Sequence, residues 1–195
     1  MNPPVRRFSP ELLLLAQGLG SGMRAAFIDV DGVLTDGRLF IGEAGEGFKA
    51  FHVLDGHGLK LLAMAGIEPV VITGRDSPSV RRRMADLGVR EAHYGVADKL
   101  VVAQAWLDAK ACSWAEVAAM GDDWPDLPLL TRAGFACAPP NAHPEVLSRV
   151  HHVTAAAGGA GAAREFSDIL LMASGHYHPM LAAALHDQRQ TLDKR

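Results

Sequence analysis

FIDVDGVLTDG, from Phe27 to Gly37, is the stretch that decides the fold. The apolar run through Ala25, Phe27 and Ile28 stops abruptly at two aspartates one residue apart, Asp29 and Asp31. Gly32 follows, then a small apolar pair and a turn at Asp36–Gly37. This is the pattern of a strand that delivers carboxylates at its C-terminal edge, with a glycine turn behind them. Such an edge can bind a cation.

Two further apolar strands end in the same way. Pro69–Thr73 (PVVIT) runs into Gly74–Arg75, and Val117–Met120 runs into Gly121–Asp122–Asp123. Between and after them the sequence predicts helices: Leu59–Met64 stopped by Gly66, a Ser77-capped helix to Leu87, Asp98–Lys110, Pro125–Arg132, Pro144–Arg149 and Arg164–Ala173. Shorter strands are expected at His93–Gly95, Phe135–Ala138 and His152–Thr154. Strands apolar along their whole length, alternating with helices, imply a parallel α/β sheet covered on both faces. In such sheets ligands lie outside the carboxyl ends of the strands. The three endings should therefore converge on one crevice.

The remaining organisation is simple. Residues 1–22 form a lead-in, with a short helix opened by Ser9–Pro10–Glu11 and a glycine-rich linker, Gly18–Gly22. Residues 23–174 read as a single domain, and residues 175–195 as a weakly patterned tail. Within the domain, residues 35–53 read as an inserted β-hairpin: Leu39–Ile41, a GEAGEG turn, then Phe48–Phe51.

Bulk composition narrows the partners. Of 195 residues, 49% are hydrophobic and 21% charged, an ordinary globular balance. A net charge of −3 is too mild to argue for nucleic acid or an anionic membrane as partner. The apolar run Leu12–Ala16 is far shorter than the roughly 20 residues that span a bilayer. Cys112 and Cys137 have no metal-like spacing and read as reduced core thiols of a cytoplasmic protein.

Several carboxylates in one crevice repel one another unless a cation sits among them. All-oxygen ligation favours Mg²⁺, which shares its shell with substrate phosphate. A carboxylate beside Mg²⁺ can attack phosphorus, and a second one two residues away can move a proton to the leaving oxygen. A hydroxyl and a lysine, for which Thr73 and Lys99 are the candidates, can bind and neutralise the transferring phosphoryl group. Residue types alone do not choose between Asp29 and Asp31 as nucleophile.

DVDGVLTDG, VITGR, DK and MGDDWPDLPLL, in that order, resemble the four motifs of the haloacid dehalogenase superfamily of Mg²⁺-dependent phosphatases. The resemblance implies a three-layer Rossmann-like fold, capless here and carrying the inserted β-hairpin. It implies Asp29 as nucleophile, and Asp31 as general acid/base with its backbone carbonyl on the metal. It also implies Thr73 on the phosphoryl oxygen, Lys99 as neutralising cation, and Asp122 on Mg²⁺ with Asp123 behind it. FHVLDGHGLK, GRDSPSVRRR, NAHPEV and the GGAGAARE loop are similar to the 3-deoxy-D-manno-octulosonate 8-phosphate phosphatase family. That similarity implies a homotetramer hydrolysing a sugar acid phosphate for lipopolysaccharide assembly. His52, Val53, Leu54, Asp55 and Gly56 match the family's substrate loop. Lys60, Gly74, Arg75, Arg83 and Lys99 match its other substrate positions. Arg83 also reads as one of a solvated basic run, Arg81–Arg83.

Two stretches depart from the family pattern, and in the first of them His52 stands where the loop often has an asparagine. Leu54 stands where a basic residue is common, and Pro125 stands where an amide residue is common. Leu54 keeps a nine-carbon sialic-type sugar acid 9-phosphate open as substrate. A catalytically inactive oligomeric binding module is the non-enzymatic alternative, and the full aspartate–threonine–lysine set argues against it. With little sequence between Asp31, Thr73 and Lys99, no independent cap domain fits. The hairpin's apolar side chains are then expected to pack in a tetramer, with the GGAGAARE loop and the tail reaching into an adjacent site.

Overall fold

The computed structural model describes residues 8–18, 22–43 and 45–192. The proline-containing amino-terminal end, most of the glycine linker and the last three residues of the tail lie outside these. In chain order the elements are α1 (Pro10–Ala16), β1 (Ala25–Ile28), β2 (Ile41–Gly42), β3 (Gly45–Glu46), α2 (Val53–Met64), β4 (Glu68–Ile72), α3 (Pro78–Leu87) and β5 (Glu91–His93). They continue with α4 (Lys99–Lys110), β6 (Val117–Met120), α5 (Leu127–Leu130), β7 (Phe135–Ala138), α6 (Pro144–Leu147), β8 (His152–Val153), α7 (Ala162–Ala173) and α8 (Tyr177–Leu192).

Six strands form one parallel sheet in the order β5-β4-β1-β6-β7-β8. The side-chain period of two sorts each strand between two cores. Ala26 and Ile28 of β1, Val71 of β4 and Phe135 of β7 face α1, α2, α3 and α7. Ala25, Phe27, Val70, Ile72 and Ala136 face α4, α5 and α6. Phe27 is buried edge-on against Trp106 and Trp114, with ring centroids 5.6 and 6.0 Å away. This is the three-layer arrangement expected from the uninterrupted apolar strands. Among the described residues, no helix is long and apolar enough to cross a membrane.

The register explains the site. Ile28 pairs with Val71 on one side and Met120 on the other. Chain order runs outward in both directions from β1, so a crevice opens at its carboxyl end. Asp29 leaves the sheet there, its N–H donating to the Met120 carbonyl at 3.0 Å.

Several boundaries differ from the sequence reading, each for a local reason. Helix α2 begins at Val53, six residues before Leu59. Gly56 and Gly58 hide the start, because both are close-approach positions. A Cβ on Gly56 would collide with the Arg83 guanidinium, and one on Gly58 would press on Ser167 of α7. β5 lies at Glu91–His93 rather than His93–Gly95, set by pairing with Val70–Ile72. Ser77 occupies the N-cap position of α3, but its side chain makes no capping bond. Asp98 does cap α4, accepting from the N–H groups of Leu100 and Val101. The hairpin is shorter than expected: Ile41 pairs with Glu46 and Gly42 with Gly45. The tail is a helix, α8, rather than unpatterned, and Tyr177 and Met180 pack on the α1/α2/α7 side. Cys112 and Cys137 are both free; Cys137 is buried and Cys112 half-buried.

Candidate active site

Asp29 is buried at the end of β1 and held by one lysine. Lys99, first residue of α4, donates to an Asp29 carboxylate oxygen at 2.6 Å and to Asp126 Oδ1 at 2.6 Å. The other Asp126 oxygen accepts the N–H groups of Asp122 and Asp123, at 3.1 and 3.3 Å. Asp126 therefore fixes both the lysine and the loop after β6. Gly32, with φ +95°, lies against the Asp122 carboxylate, where any Cβ would overlap it. One oxygen each from Asp29, Asp122 and Asp126 lies within 4.8 Å of the others.

Three carboxylates sharing one ammonium leave excess negative charge. Burial, then the charge of Asp126, pushes the Asp29 carboxyl up to about 7, against the pull of Lys99. Burial, then Asp29 and Asp126, pushes Asp122 up to about 8. Burial alone would lower Lys99; Asp29 and Asp126 outweigh it, and its net shift is upward. A hard divalent cation suits this donor set, because it supplies the missing positive charge to oxygen ligands. Both Asp126 oxygens are already engaged, so Asp29 and Asp122 are the residues with ligand capacity to spare. Asp123, expected behind Asp122, is the exposed N-cap of a 3-10 turn, Trp124–Asp126. The third carboxylate of the cluster is Asp126 instead, since the turn carries it back under the loop.

A second set of charges lies on the hairpin side. Lys49 is buried, and its Nζ donates to Asp31 Oδ1 at 2.5 Å and pairs with Glu46 at 3.2 Å. Arg75, just past β4, forks onto the same Glu46 at 3.1 and 3.2 Å. Thr73 is buried at the end of β4, and its hydroxyl accepts the Arg75 N–H at 3.3 Å. Asn141 bridges the Gly32 carbonyl and the Gly158 N–H, at 3.0 and 2.8 Å. The sequence reading missed Asp126, Lys49, Glu46 and Asn141. Asp126 had a signal, an acidic residue three positions after a capping aspartate. Lys49 had none, because an alternating hairpin strand does not announce a buried ammonium.

The chain matches known proteins over most of its length. A family model described as haloacid dehalogenase-like hydrolase matches residues 93–166. The 3-deoxy-D-manno-octulosonate 8-phosphate phosphatase of Salmonella typhimurium is 39% identical over 167 residues, 86% of this chain and 87% of that one. A crystal structure of a probable YrbI family phosphatase from Pseudomonas syringae superposes with TM-score 0.85 at 40% identity, covering 91% of this chain and 98% of that one. The 3-deoxy-D-manno-octulosonate 8-phosphate phosphatase of Moraxella catarrhalis, in complex with magnesium, phosphate and the sugar acid, superposes with TM-score 0.83 at 33% identity, covering 89% and 97%. This chain belongs to the 3-deoxy-D-manno-octulosonate 8-phosphate phosphatase family. Its enzymatic class is that of the phosphomonoesterases.

In this member of the phosphatase family, the stretch His52–Gly56 forms the first turn of α2. Val53 and Leu54 project outward, 77% and 51% exposed, and His52 is the N-cap. Asp55 turns the other way: it is buried, and its carboxylate accepts the N–H groups of Gly161 and Arg164 at 3.2 and 2.7 Å. It caps the start of α7, so its oxygens are spent within the chain. The GGAGAARE loop, expected to reach a neighbour, packs on its own turn, with Gly159 N–H donating to the Val33 carbonyl at 2.9 Å. The basic run also divides. Arg81 pairs with Asp76 and Arg82 with Asp86, while among the described residues Arg83 has no acidic partner. Its guanidinium rests against Gly56, 5.9 Å from the Phe51 ring centroid. Lys60 is exposed further along α2.

Proposed function

We propose that this enzyme hydrolyses 3-deoxy-D-manno-octulosonate 8-phosphate to the free sugar acid and inorganic phosphate, with Mg²⁺ and through a phosphoaspartyl intermediate on Asp29. The observation that carries this reading is the Asp29–Lys99–Asp126–Asp122 cluster at the central strand's carboxyl end. An Asp29 oxygen attacks phosphorus, and the bond from phosphorus to the ester oxygen breaks with its electron pair on that oxygen. Asp31 gives the leaving oxygen a proton. Water then attacks the acyl phosphate, returns a proton to Asp31 and frees Asp29. The Thr73 hydroxyl hydrogen-bonds the phosphoryl oxygens, and Lys99 neutralises Asp29 while charge moves. Asp29 and Asp122 would hold Mg²⁺, which would supply the remaining charge neutralisation.

Arg83, without an acidic partner among the described residues and beside the start of α2, where His52 makes no side-chain cap bond, is suited to the substrate carboxylate. The same reading places the enzyme in lipopolysaccharide biosynthesis in the cytoplasm, as a homotetramer assembled through the hairpins. Leu54, with no donor to offer, supports a second substrate, a nine-carbon sialic-type sugar acid 9-phosphate. A phosphate-release assay over a panel of sugar acid phosphates, with and without Mg²⁺, tests both. The eight-carbon ester is expected to turn over fastest, and only with the metal; preference for the nine-carbon ester replaces the first reading by the second.

A further inference from the structure

The hairpin side of the site holds a buried lysine that the reaction scheme above does not use. Lys49 lies between Glu46, three residues earlier, and Asp31 of the β1 turn, with only 1% of its side chain exposed. Stability alone is a poor reason to keep it there. A buried ion pair about breaks even against well-packed apolar groups. The neighbouring hairpin positions are apolar already: Phe40 and Phe48 stack with ring centroids 4.5 Å apart. The Asp31 carboxylate is also used unevenly. Oδ1 accepts from Lys49, while Oδ2 is buried and has no hydrogen-bond partner among the described residues. Oδ2 is therefore the oxygen open to a partner that arrives with substrate.

We propose that Lys49 is the positioning residue for Asp31, with Glu46 holding the lysine in place. The inference rests on Asp31 being the acid/base group. An ammonium only donates hydrogen bonds. The oxygen that Lys49 occupies therefore cannot be the one that carries the proton, and the proton is assigned to Oδ2. During ester cleavage the proton passes from Oδ2 to the leaving oxygen as the phosphorus–oxygen bond breaks, and Asp31 is left as carboxylate with Oδ1 still on Lys49. The same geometry receives a proton from water in the second step. Through Glu46 the arrangement is also tied to Arg75, so the docked hairpin and the oriented acid form one unit.

Leaving-group dependence separates positioning from mere structure. The value of kcat/KM reports the steps up to departure of the leaving group. A 4-nitrophenolate departs without a proton, whereas a sugar alkoxide needs one. Lys49→Met is expected to lower kcat/KM on the order of 30-fold for the fastest sugar acid phosphate, and less than about threefold for 4-nitrophenyl phosphate. In an Asp31→Asn background the same substitution should add little, since it acts through Asp31. Glu46→Gln should repeat the selective loss at smaller amplitude, and it stands as the test should Lys49→Met fail to fold. An equal fall for both esters, or no fall, overturns the role of Lys49 while leaving the phosphatase reading intact. Wild-type protein that hydrolyses neither ester overturns the phosphatase reading and this inference with it.

Discussion

The two walls of the crevice are built differently. The inner wall, Asp29, Lys99, Asp122 and Asp126, comes from strand ends and a helix start, locked by the parallel sheet and by backbone N–H groups. The outer wall, Asp31, Glu46, Lys49 and Arg75, is bolted to a hairpin whose paired strands are two residues each. Such a hairpin is marginal alone, and its Ile41 and Phe48 are 64% and 63% exposed. The inner wall needs a cation to be electrically comfortable, whereas the outer wall supplies its own. The difference teaches that charge is balanced within the chain where the fold is least rigid, and left unbalanced where it is most rigid.

The sharpest break in this comparison is at Asp29, the proposed nucleophile. Asp29→Asn keeps size and removes the attacking charge, so turnover should fall at least about a thousandfold. Circular dichroism and thermal unfolding should show the fold retained; retained turnover would move the nucleophile elsewhere.

The inner wall's excess charge predicts a pH-dependent response to metal. Asp29 is held at about 7 instead of its ordinary 3.8. Between those values the folded protein binds more protons than the unfolded chain, so this group's effect on stability becomes less favourable as pH rises through the window. A Mg²⁺ ion held by Asp29 and Asp122, as proposed, would require both deprotonated, and Asp122 at about 8 extends the window upward. The rise in Tm on adding Mg²⁺ should therefore be larger at pH 8 than at pH 6. Asp122→Ala should reduce that rise and increase the metal concentration needed for activity. An equal rise in Tm at both pH values would contradict the carboxylate cluster as the metal site.

The smallest effect is expected on the outer wall. Phe48→Asp removes one partner of the Phe40 stack, at a cost of about 1 kcal/mol or less to the single chain. It should nevertheless dissociate an assembly made through the hairpins, as read by sedimentation. An unchanged oligomer would place the interface elsewhere.

Much of the inner wall was legible in the chain itself. β6 and β7 fall where their apolar runs predict, because a strand buried on both faces leaves an uninterrupted hydrophobic signature. Asp29, Thr73, Lys99 and Asp122 were legible because each follows or opens such an element. Asp126 was harder, because its importance lies in bonds to Lys99 and two backbone N–H groups rather than in spacing. Asp55 is hard to read for the opposite reason: it sits in the motif matched to a substrate loop, yet its carboxylate is committed to the first turn of α7, 109 positions away at Arg164.

Sequence by itself determined the parallel sheet, the order of its strand endings and the aspartate, threonine and lysine positions at its edge. Those depend on hydrophobic period and on residue type, which are local properties. Only the tertiary structure decided which carboxylates share Lys99, that among the described residues Arg83 alone of its basic run lacks an acidic partner, and that Lys49 is buried against Asp31. Those depend on which distant segments meet and on how much water is excluded where they meet, and no local pattern encodes either.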